Sequence, residues 1–152
     1  MTHPPDAIEL RIPSELRFLA VVDAVVQAFV ADFNWEPDDV NNLGTAAIEA
    51  ASNAMEHGNH FAPGSAVLMH VRGDVSEVEV EVQDEGAGFD HRPYERELTP
   101  DDLLKLRGRG IFIMRSFMDG VSFDQLPGRG MRVKLVKRGA LRPQQTGGTS
   151  GV

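Results

Sequence analysis

Glu49, Asn53 and His57 recur at four-residue intervals within the stretch EAASNAMEHGN, Glu49–Asn59. Residues four apart on an α-helix lie one above the other, so a carboxylate, a carboxamide and an imidazole share one stripe. The positions between Glu49 and Asn53 are alanine and serine rather than lysine or glutamate, which lets a ligand or a second element approach closely. The carboxylate offers a proton acceptor. The carboxamide oxygen is a hard donor suited to Mg²⁺, an ion that keeps several waters and leans on ligand phosphates. The plain alternative is a solvated helix face, and the stripe alone does not decide between them. His57 and His60 raise the question of zinc, but their spacing matches no complete ligand set and the chain has no cysteine to finish one.

Two glycine motifs follow. DEGAGF, Asp84–Phe89, comes directly after an alternating strand pattern, and its glycines permit close backbone approach. It lacks the third glycine and the following helix of a dinucleotide fingerprint. GRGIFIM, Gly108–Met114, sets glycines and an arginine at a helix N-terminus, where backbone N–H groups and the dipole favour anions. Read singly, one is a strand-ending turn and the other a loop-to-helix joint.

The elements that must position these motifs can be read from periodicity. AIELRIP alternates as a strand ended by Pro13. Ser14 is placed to cap a helix through about Phe33, burying Leu16, Leu19, Ala20, Val22, Val26, Phe29 and Val30. Pro37, Asp38 and Asp39 suit the first turn of a second helix, which runs to about His57 and stops at Gly58. AVLMHVRG and EVEVEVQD form a hairpin through Gly73 and Asp74, the second strand alternating valine with glutamate. After a polar connection from Asp90 to Arg107 and the GRG helix, VSFDQL and GMRVKLVKR pair around Pro127 and Gly128. The order βααββ–α–ββ predicts an α+β fold, a two-layer α/β sandwich. Its mostly antiparallel mixed sheet is covered on one face by helices. One domain spans 1–138, and 139–152 reads as a flexible C-terminal tail.

Bulk composition agrees with a single soluble domain: 152 residues, 41% hydrophobic and 25% charged. A net charge of −8 disfavours a nucleic-acid or anionic-membrane surface driven by bulk electrostatics. The absence of cysteine excludes disulfides and is compatible with a reducing cytoplasm. No signal-peptide pattern opens the sequence, and its longest greasy run, LAVVDAVVQAFVADF, is interrupted by Asp23 and Gln27. The expected location is cytoplasmic.

Taken together, Glu-x-x-x-Asn on a helix, Asp-x-Gly-x-Gly after a strand and Gly-x-Gly opening a helix resemble the Bergerat (GHKL) ATP-binding fold of the histidine-kinase-like ATPase superfamily. EAASNAMEHGN and GRGIFIMRSFMDGV look most like the bacterial anti-sigma serine/threonine kinases of the RsbW and SpoIIAB type. The resemblance runs from about Ile8 to Arg138. It implies ATP and Mg²⁺ as cofactors, with Asn53 holding the metal against the triphosphate and Glu49 as general base. It implies that Asp84 accepts the adenine amino proton, with Gly86 and Gly88 shaping that wall. Residues from about Asp90 to Arg107 would form a lid, and Gly108, Arg109 and Gly110, with Ile111 beside them, would meet the phosphates. His57 either faces the nucleotide or braces the helix. One departure is Gly130-Met131, where family members often carry Gly-Thr at the start of the last strand; this removes one hydroxyl from the nucleotide site.

The resemblance also implies a sigma factor and an anti-anti-sigma (STAS-domain) antagonist as partners, and a homodimer. Three functions follow: a kinase that phosphorylates the antagonist and otherwise sequesters the sigma factor, a non-catalytic ATP-gated binding module, and the catalytic domain of a histidine kinase. Glu49 favours the first. The length leaves no room for a helical hairpin bearing a phospho-accepting histidine, which ranks the third last.

Overall fold

The computed structural model describes residues 5–86, 108–128 and 130–144. Strand β1 (Asp6–Pro13) leads through a 3₁₀ turn, Leu16–Phe18, into α1 (Leu19–Val30) and α2 (Pro37–Asn53). A π-helical turn, Ala54–Gly58, extends α2, and β2 (Ala66–Gly73), β3 (Val78–Gln83), α3 (Gly108–Phe117), β4 (Gly120–Leu126) and β5 (Gly130–Lys137) follow. The sheet order is β1-β2-β3-β5-β4. Each of its four pairings is antiparallel, so among the described residues the expected mixed sheet has no parallel pair.

Alternation decides which face is covered. Val78, Val80 and Val82 of β3, Met69 and Val71 of β2, and Val133 and Leu135 of β5 are buried beneath the helices. Glu79 points to the other face, where it meets Arg72 at 2.8 Å and Lys134 at 2.9 Å across neighbouring strands. Burial pushes the Glu79 carboxyl up, but those two cations more than offset it and hold it below the ordinary carboxylate range. One face is thus core and the other a solvated charge ladder.

On the helical layer, Ala46, Ala47, Ala50, Ala51 and Ala54 of α2 and the π turn are all buried. Small side chains there bring α2 close to both the sheet and α3. Ser14 does not cap α1: its hydroxyl instead receives hydrogen bonds from Asn59 and Ser65. Because the tighter 3₁₀ turn precedes α1, the expected buried phase shifts, leaving Leu16 and Ala20 exposed while Val22, Val26 and Val30 remain buried.

The first residues beyond Arg138, assigned to the tail from sequence, are paired. Glu36 donates its N–H to the Ala140 carbonyl at 2.7 Å and Arg142 donates to the Asn34 carbonyl at 2.9 Å. Gly139 packs so close to the indole of Trp35 that a Cβ there would overlap the ring. The rest of that segment, from 145 on, lies outside the described residues, as does the proposed lid, 90–107. No described helix is long and apolar enough to cross a membrane.

Candidate nucleotide site

Two clusters of side chains lie at the two ends of the π turn. At its start, Glu49 and Asn53 project from the last turns of α2, both half-buried. The first turn of α3 abuts them: a Cβ placed on Gly110 would fall 2.6 Å from Glu49 Oε2 and 3.3 Å from Asn53 Nδ2. Ile111 and Met114, 1% and 0% exposed, anchor α3 in the core and so fix where Gly110 sits. Arg109 is exposed. The arrangement aims the N–H-rich, positive end of a ten-residue helix at a carboxylate and a carboxamide. Lacking a side chain, Gly110 lets α3 approach Glu49 and Asn53 this closely.

At the far end of the turn, Asp84 follows β3 and is 1% exposed. Its N–H bonds the Met131 carbonyl at 3.0 Å, and its Oδ1 accepts the N–H groups of Gly86 at 3.1 Å and Met131 at 3.2 Å. Burial pushes the Asp84 carboxyl above the ordinary range, the two backbone N–H bonds and the charge of His60 pulling it back in part. Three glycines converge on it. Any Cβ on Gly58 or Gly130 would overlap Asp84 itself, and one on Gly86 would overlap the Gly58 carbonyl. Gly130 also sits at φ 84°, a conformation that suits glycine.

The turn that joins the clusters is wider than an α-helix. Asn59 donates its N–H to the carbonyl of Ala54, five residues back, at 2.8 Å. His57 lies within that wider turn and is 9% exposed, with Nε2 3.7 Å from Glu56. Met131 bonds Asp84 through its main chain while its side chain is 1% exposed in the core, so the residue standing for the frequent threonine offers Asp84 backbone groups alone. Gly88 lies outside the described residues.

Sequence reasoning read Gly58 only as a helix stop and left Asn59 unassigned. Both touch the Asp84 loop: Asn59 Oδ1 accepts the N–H of Glu85 at 2.7 Å. No local period marks either, since their partners are 26 to 28 residues away in the chain. Among the described residues no three histidine, aspartate or glutamate side chains gather as a metal cage. A single carboxamide oxygen beside an open helix terminus instead fits a cation held mostly by water and ligand phosphates.

The family model for the histidine kinase-like ATPase domain matches residues 12–137. The chain belongs to that family. Among curated relatives of this ATPase-domain chain, the serine-protein kinase RsbW of Halalkalibacterium halodurans is 27% identical over 129 residues, 81% of this chain and 78% of the relative. An anti-sigma F factor of Clostridium botulinum is 28% identical over 133 residues, 86% and 93% of the two chains. That of Clostridium acetobutylicum is 29% identical over 135 residues, 84% and 94%. A solved structure of the RsbU and RsbW domains of a Mycobacterium tuberculosis protein superposes with a TM-score of 0.63 at 14% identity. It covers 88% of this chain, which spans 32% of that one, and at such identity it supports the fold alone.

Proposed function

We propose that this chain is an ATP-dependent serine/threonine protein kinase acting as an anti-sigma factor, which phosphorylates an anti-anti-sigma (STAS-domain) antagonist and sequesters a sigma factor. The observation that carries the catalytic half is the placement of Gly110 against Glu49 and Asn53. It brings together a proton acceptor, a metal-suited oxygen and an anion-attracting helix terminus. The partner half rests on the names of the relatives, serine-protein kinase and anti-sigma F factor.

Bound Mg-ATP supplies the phosphoryl group and the charge neutralisation that such a transfer demands. Asn53 would hold the Mg²⁺ through its carboxamide oxygen. Asp84 would accept a proton from the adenine amino group, and Gly86 would let the base approach. Gly108, Arg109 and Gly110, with Ile111 behind them, would face the phosphates. Glu49 would accept the proton of the incoming hydroxyl. His57, buried, braces the π turn in this reading. The protein would work in the cytoplasm as a homodimer.

The test is a pull-down from native lysate with and without Mg-ATP, with mass spectrometry of the captured partners. Acid-stable phosphate on a serine or threonine of a partner is expected. Acid-labile label would move the protein to the histidine-kinase class, and no transfer to any captured partner would leave an ATP-gated binding module.

A further inference from the structure

Asn59 is 5% exposed and its side chain makes three hydrogen bonds. Its Nδ2 donates to Ser14 Oγ at 3.0 Å and to the Ala66 carbonyl at 2.9 Å, while its Oδ1 accepts the Glu85 N–H at 2.7 Å. The orientation of the amide is fixed by chemistry. Reversed, it would set Nδ2 against a backbone donor and Oδ1 against a backbone carbonyl. A carboxamide satisfies all three partners at once; alanine, serine or leucine cannot.

Those partners come from the end of β1, the start of β2 and the loop after β3. The loop, Asp84-Glu85-Gly86, is gripped on one side by the main chain of Met131. On the other side its Glu85 N–H meets Asn59, and Gly86 lies against the Gly58 carbonyl. The Glu85 side chain bonds the Ala66 N–H at 3.0 Å and so turns toward β2. Asn59 is thus the side chain that ties the base-reading loop to the π turn, and through it to Asn53.

We infer that Asn59 is a positioning residue for base recognition: by holding the Glu85 N–H it sets the position of Asp84 relative to the phosphate-binding end of the site. The inference rests on the proposed role of Asp84 toward adenine. Adenine presents an amino group where guanine presents a carbonyl, so a correctly placed carboxylate favours ATP and repels GTP. The ratio of the two affinities therefore reads Asp84 placement, and overall stability does not enter it.

Calorimetric titration of ATP and of GTP, in the wild type and in Asn59→Ala and Asn59→Asp, tests this. Loss of the bond that holds the Glu85 N–H predicts that Asn59→Ala weakens ATP binding roughly five- to tenfold, while GTP affinity does not fall and rises as the repulsion from Asp84 is relieved. Asn59→Asp keeps an acceptor for the Glu85 N–H but loses both donated bonds, so it should melt lower yet retain the ATP preference. Equal weakening of both nucleotides by Asn59→Ala would overturn the inference. Should that variant fail to fold, loss of the ATP preference in Asn59→Asp overturns it instead. A wild type without preference for ATP would refute the role of Asp84, a different failure from that of Asn59.

Discussion

Gly110 of α3 lies so close to Glu49 of α2 that a methyl group added there would fall 2.6 Å from the carboxylate Oε2. The atom it would meet is the far end of a flexible side chain, so Glu49 can swing away and the fold can survive. The proposed chemistry cannot. Gly110→Ala should unfold within about 1 kcal/mol of the wild type, as substitutions that strain only a mobile group do. Its phosphotransfer rate should fall at least roughly tenfold, because a displaced base loses much of the usual general-base contribution. Thermal melts beside single-turnover transfer check this; a full rate in the alanine variant would separate Gly110 from the site.

Asp84 carries an acidity prediction. Its carboxyl is raised by burial, so on acidification it takes up a proton before an exposed aspartate does. The native state binds that proton more tightly than the unfolded chain. The Asp84 contribution to stability is therefore fully present below the unfolded value and is lost as pH rises through the native one. Base binding runs the other way, since the ionised form is the better acceptor. ATP affinity should decline as pH falls through the native value, and Asp84→Ala should flatten that decline. The same variant should weaken ATP and ADP together by roughly one to two decades, the cost of a hydrogen bond to a charged group. Titrations of both nucleotides across pH check it.

Trp35 is the sole tryptophan and is 1% exposed. Gly139 packs against its indole, and Arg142 donates to its carbonyl at 2.9 Å. Gly139→Ala should destabilise by about 1–3 kcal/mol through overpacking. Truncation after Arg138 should lower the melting temperature and shift Trp35 emission to the red by admitting water. Unchanged emission in the truncated chain would show that the segment contributes no cover.

The element order was legible because periodicity is local. Val78, Val80 and Val82 alternate with glutamates, and Pro37 and Gly58 bracket α2 with its π turn. Glu49 and Asn53 were legible as a pair for the same reason. What stayed hidden depends on partners far away in sequence. Ser14 looks like a helix cap until Asn59, 45 residues on, takes its hydroxyl. The π turn that carries His57 has no local signal either, and its Met55 and the Asn59 that follows it are buried by elements distant in the chain. Gly139 looks like the start of a tail until Trp35 is seen beneath it.

In the proposed mechanism Glu49 is a base and Asn53 a metal-binding oxygen, and one paired measurement separates them: Mg-ATP affinity beside single-turnover phosphorylation of the captured partner. Glu49→Gln keeps the side chain's size and removes its proton acceptor. Glu49→Gln should bind Mg-ATP as the wild type does while transfer drops by roughly 10²–10⁴. Asn53→Ala should lose Mg-dependent binding and transfer together. Transfer at the wild-type rate by Glu49→Gln would take Glu49 out of the mechanism.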